Sequence, residues 1–164
     1  MRKTPAGLIA FGGMMAALAM VIMNLGSLIP IATYVCPMLC MLILSIVCKM
    51  CGNRIGWAWY GAVAILSVLM APDKEAAAVF VFLGFYPIVK PRFDRFRFPV
   101  IPKLALFNVL ILIMYWLLLR LFGMDQIAAE FAEMGQILTA LMLLMGNLIF
   151  FLLDFALYRF ARFK

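Results

Sequence analysis

Six apolar stretches, at 7–29, 33–48, 55–71, 75–89, 104–122 and 137–158, occupy most of this 164-residue chain. A helix that crosses a bilayer needs about 20 mostly apolar residues, within a range of roughly 17–25. Hydrocarbon holds no water to satisfy loose backbone groups, so such stretches must close their own hydrogen bonds as helices. Composition agrees, with 68% hydrophobic and 13% charged residues, where soluble domains are about a quarter charged. The expected fold is all-α: a polytopic membrane protein forming one compact bundle of six transmembrane helices over 1–164, with no soluble domain. The second and fourth stretches are short, which leaves partly re-entrant segments open there. Arg2 and Lys3 precede the first stretch as they would in a signal peptide. That stretch is longer than a signal's apolar region, so it reads as a retained first helix.

Charge gives an independent check on the number of crossings. With six spans and both ends in the cytoplasm, Arg2, Lys3, Lys49, Arg54, Lys90, Arg92, Arg95, Arg97, Lys103, Arg159, Arg162 and Lys164 all fall inside. Lys74 falls outside and Arg120 at the outer end of the fifth span, while Asp73, Glu75, Asp125, Glu130 and Glu133 also fall outside. Cytoplasmic loops carry an excess of Lys and Arg, and five or seven spans would put one of these basic clusters on the wrong side. The expected placement is multi-pass in a bacterial inner or plasma membrane, with anionic lipids as partners of the cytoplasmic face. The net charge of +7 then reports that face and implies no nucleic-acid partner.

Several chemistries lack their residues. The chain has no histidine, the commonest general base and metal ligand. Asp154 is the only acid within a span, and no nucleophile elbow, phosphate loop or zinc-protease pattern occurs. The expectation is a protein that is not an enzyme and has no cofactor or metal. Cys48 and Cys51 form a lone C-x-x-C, and Cys36 and Cys40 lie one turn apart. Without a second pair or a histidine, all four read as small packing residues. No regular ring of polar residues lines any span, which argues against a channel.

In the first stretch Ala6 with Ala10, Gly12 with Ala16, and Gly13 with Ala17 are small residues at four-residue spacing. One turn apart, they line a strip where another helix backbone can approach closely, either within this bundle or on a separate membrane subunit. The segment "KPRFDRFRFPVIPK" and the tail "YRFARFK" interleave arginines with aromatics. That pattern can stack single-stranded nucleic acid; beside membrane helices it reads as an interfacial anchor. "GMDQIAAEFAEMGQ" reads as a short amphipathic helix on the outer surface, serving as connector or lid. Asp154, with Arg159 and Arg162 following, is expected to form an ion pair at the inner interface.

The triplet Asp73-Lys74-Glu75 stands out because the other outer loops carry little charge. Pro72, Asp73 and Glu75 suit the start of a helix, through proline at its first turn and carboxylates at its positive end. Lys74 is not explained that way. A short fourth helix starting below the outer surface would leave a depression lined by its N–H groups and Lys74. Gly84 and Pro87 are expected to bend its inner end, bringing Tyr86 and Lys90 to the interface.

The stretch "AGLIAFGGMMAALAMVI" followed by "GSLIP", in a six-span chain with both ends inside, resembles the substrate-capture subunit (S component) of energy-coupling factor vitamin transporters. The segment "KEAA…GFYPIVK" is also similar to one in an uncharacterised S-component-like family of bacterial membrane proteins. The resemblance implies uptake transport without catalysis. The small-residue face Ala6, Ala10, Gly13 and Ala17 would dock on a transmembrane coupling subunit driven by two cytoplasmic ATPases. It also implies a site for a vitamin-like small-molecule solute near Asn24, Tyr34, Lys74 and Glu75. No substrate-specific signature identifies the solute. A rival resemblance is to the rod-shape scaffold protein MreD, which has similar size, helix number and basic inner face and binds no ligand. A capture subunit needs a polar hollow in its outer half, whereas a scaffold fills that space with side chains.

Overall fold

A computed structural model describes residues 5–26, 32–95, 98–121 and 143–159, and every regular element among them is helical. The helices are α1 (Pro5–Gly26), α2 (Ala32–Cys51), α3 (Asn53–Met70), α4 (Lys74–Leu83), α5 (Tyr86–Phe93) and α6 (Val100–Leu121), followed by α7 (143–159). They fall on the described part of all six apolar stretches. Four segments are long and apolar enough to cross a membrane: Ala6–Gly26, Tyr34–Cys51, Lys74–Phe93 and Val100–Leu117. The second and fourth stretches are not short after all. α2 has 20 residues, and α4 with α5 makes a 20-residue segment. Apolar runs stop at the first charge, whereas helical hydrogen bonding continues through Lys49 and Lys90 to the next true breaker.

Large apolar side chains point outward along the helices, with Ile9 and Leu69 each 71% exposed and Leu112, Trp116, Leu144 and Leu152 similarly bare. A soluble protein rarely leaves so much apolar surface open; lipid is the solvent that such helices suit. The segment Lys74–Phe93 runs the other way, being 56% buried against 17% for Ala6–Gly26. It is also the segment carrying Gly84, Pro87 and Pro91. Interrupted backbone at membrane depth is tolerated where protein surrounds it, and here the other helices do.

Contacts divide the chain into two compact units, Met1–Phe96 and Arg97–Lys164. In the first, α2 packs against α1, α3, α4 and α5. Cys40 Sγ donates to the Ala19 carbonyl (3.5 Å) and Cys51 Sγ to the Leu8 carbonyl (3.7 Å), so α1 and α2 run antiparallel. Gly52 turns the chain into α3 with φ 88°, a backbone region that favours glycine. α3 returns antiparallel to α2, with Gly56 lying against Cys48 so closely that a Cβ there would overlap the sulfur. Trp59 Nε1 donates to the Gly12 carbonyl at 3.0 Å, tying α3 to α1.

α4 does not break sharply from α5. Gly84 (φ −59°, ψ −27°) and Phe85 (φ −74°, ψ −10°) both remain right-handed helical, so the interruption is a loosened turn. The Tyr60 hydroxyl from α3 donates to the Val81 carbonyl, one of the last four carbonyls of α4, which a helix end leaves without intrahelical partners. Tyr86 and Lys90 are covered by protein, at 1% and 6% exposed. Because the turn keeps its helical sense, α5 continues along α2 and its Tyr86–Lys90 face is covered.

The second unit pairs α6 with α7. Asn108 and Asn147 exchange amide hydrogen bonds of 2.9 and 3.1 Å. Phe107 stacks on Phe150 with centroids 4.6 Å apart. Lys103 Nζ lies 3.0 Å from Asp154 Oδ2. These contacts run down α6 as they run up α7, so the two helices are antiparallel. Lys103 on the neighbouring helix is thus a partner of Asp154. Arg159 lies five residues beyond Asp154, and helical neighbours on one face are three or four apart. Arg162, like the segment "GMDQIAAEFAEMGQ", lies outside the described residues.

Candidate functional site

The helix directions bring the end of α1, the start of α2, the end of α3 and the start of α4 together at one end of the first unit. This is where Asn24, Tyr34, Lys74 and Glu75 belong, and each can be placed. Asp73 Oδ1 accepts from the Glu75 and Ala76 amides at 3.0 and 3.1 Å, the side-chain N-cap of α4. Lys74 Nζ donates to the Val68 carbonyl at 2.9 Å, on the last turn of α3, where cations meet the helix's negative end. Tyr34 OH donates to Glu75 Oε1 at 2.7 Å, tying α2 to α4. The three consecutive charges thus each make a different connection: Asp73 starts α4, Lys74 closes α3, and Glu75 holds α2.

One expectation changes here. A hollow lined by open α4 N–H groups and Lys74 would suit an anion, but Asp73 accepts from two of those N–H groups and Lys74 reaches back to α3. Helix capping, a local effect within four residues, takes the donors first. The structure joins Tyr34 and Glu75 directly, across 41 positions of sequence. Asn24 Nδ2 donates to the Met20 carbonyl one turn back on its own helix, at 2.8 Å. A carboxylate is an acceptor, and a phenol both donates and accepts. Their pairing is chemistry that can meet N–H or O–H donors.

The small-residue positions of α1 separate into two strips. Gly12 and Ala19 are buried and Ala16 is half-buried, facing α3 and α2. Ala6, Ala10, Gly13 and Ala17 are exposed; a Cβ built on Gly13 meets nothing within 4 Å, and neither does one on Gly12. Internal packing thus accounts for the first strip and leaves the second on the outside of the unit. The thiols of Cys40 and Cys51 rest on α1 carbonyls, which is the packing role expected for them.

Sequence reasoning missed the Tyr60–Val81, Trp59–Gly12 and Lys103–Asp154 connections. Only the last carried a usable signal: a lone acid in an apolar helix calls for a base on a neighbouring helix, and Lys103 is one. No protein family matches this chain, and neither a curated protein nor a solved structure does.

Proposed function

We propose that this chain is a membrane-embedded, non-enzymatic binding subunit. It crosses the bilayer six times with both ends in the cytoplasm. It docks on a transmembrane coupling subunit through the outer strip of α1, and takes a small solute from outside at the end carrying Asn24, Tyr34, Lys74 and Glu75. The observation that carries the reading is the exposure of Ala6, Ala10, Gly13 and Ala17 while Gly12 and Ala19 face inward. A smooth strip on an otherwise bulky apolar helix admits a second backbone closely. The vitamin or micronutrient class of solute, and coupling to ATPases, rest on the resemblance to energy-coupling factor S components alone.

One observation favours the rival scaffold reading. Asp73 and Lys74 both serve helix ends, so part of the polar chemistry at the outer end maintains the bundle. Native mass spectrometry of the protein extracted from its host membrane separates the two. The capture reading predicts a bound small molecule whose affinity falls at least about tenfold in Tyr34→Phe and in Glu75→Ala, the effect of losing a hydrogen bond to a charged group. An empty protein carrying a stoichiometric cell-wall or cell-shape protein would replace it with the scaffold.

A further inference from the structure

The opposite end of the first unit collects Lys49, Arg54, Lys90, Arg92 and Arg95, with Asp94 as the acid among them. Two of these bases are placed more closely by ring geometry. Trp57 of α3 stacks on Phe85 at the α4–α5 turn, with centroids 6.5 Å apart and planes 12° from parallel. The helix face of α3 that bears Trp57 therefore meets the face bearing Phe85. Arg54 lies three residues before Trp57, one turn back on the same face. Arg92 lies seven residues after Phe85, two turns on along its face. Because α3 runs antiparallel to α4 and α5, both arginines lie beyond the ring pair in the same direction. At a rise of about 1.5 Å per residue they stand roughly 5 Å and 10 Å past it. That axial offset is about one helical turn, within the reach of two extended arginine side chains. Arg54 and Arg92 are both exposed, and Trp57 is 46% exposed.

We propose that Arg54 and Arg92, set beyond the stacked Trp57 and Phe85 rings, form a notch for the phosphate of an anionic phospholipid. Guanidinium forks match phosphate oxygens two at a time. A tryptophan at headgroup depth lies along the upper acyl chain. A diffusible anion has no use for the partly bare indole, whereas a lipid covers it. The notch rests on the membrane-embedded reading with this end in the cytoplasm, and it does not require the chain to capture a solute.

The test reconstitutes the full chain into vesicles of equal phosphatidylglycerol and phosphatidylcholine, then reads retained lipid by native mass spectrometry. The wild type should retain phosphatidylglycerol in preference to phosphatidylcholine by about tenfold or more. Arg54→Gln with Arg92→Gln should abolish the preference, and Arg159→Gln with Lys164→Gln in the second unit, an equal loss of charge, should leave it intact. Equal retention of both lipids by the wild type overturns the proposal, as does an unchanged preference in the double variant. A loss as large in Arg159→Gln with Lys164→Gln overturns it too, by reducing the effect to net charge. Displacement of the lipid by millimolar inorganic phosphate would assign the notch to a soluble anion instead. Loss of the solute in the capture experiment leaves all of these outcomes unaffected.

Discussion

Asp154→Ala should destabilise the α6–α7 hairpin by about 3 kcal/mol or more, because it leaves the Lys103 ammonium without its carboxylate in a buried place. Lys103 is 7% exposed and Asp154 21% at the side chain, so water offers the ammonium little replacement. Replacing both partners, as Lys103→Met with Asp154→Leu, should recover most of the loss, since apolar groups of similar volume often substitute for a buried pair at little cost. Thermal unfolding in detergent reads both, with a large drop for the single variant and a small one for the double. Equal drops would show that these two side chains matter through their bulk and that the ion pair adds nothing.

Gly84→Ala is the second large effect, about 3 kcal/mol at the upper end of overpacking. A Cβ at Gly84 would overlap the Phe80 carbonyl oxygen and come within 2.9 Å of Tyr60 Cε2. The oxygen belongs to the backbone of α4 and accepts from the Gly84 amide at 2.7 Å, so it cannot rotate away. Tyr60 would have to withdraw, and its bond to Val81 would go with it. Gly61→Ala is the matched control, since a Cβ there meets nothing within 4 Å and alanine favours a helix interior over glycine. It should unfold no earlier than the wild type. Matching losses at both glycines would contradict the close packing of Gly84 against Tyr60.

What could be read from the chain was what lipid enforces. Apolar stretches of bilayer length must be helical, and helices stand on the described part of each one. Their ends were harder, because hydropathy falls at Lys49 and Lys90 while the hydrogen-bonded backbone runs on. Capping at Asp73 was legible, since it acts within three residues. The Tyr34–Glu75 bond spans 41 positions and was foreshadowed only by both residues belonging to the first turns of α2 and α4. Lys74 showed the limit most clearly. Its charge marked the place, but whether it faced a solute or the end of α3 depended on a turn of three residues, 71–73, that sequence does not fix. The small residues of α1 were legible as a set, yet their division into an inner and an outer strip waited on Trp59 finding the Gly12 carbonyl.

The central claim is that the outer strip of α1 is a docking face. The direct measurement is affinity recovery of the tagged full chain from its native membrane, beside the double variant Ala10→Leu with Gly13→Leu. Both positions are exposed, and the site at Gly13 is open, so the variant should fold and elute as the wild type does. A stoichiometric membrane protein with its cytoplasmic ATPases, recovered with the wild type and lost with the variant, is the predicted result. Recovery of the same partner with both forms, or of none with the wild type, would contradict the claim.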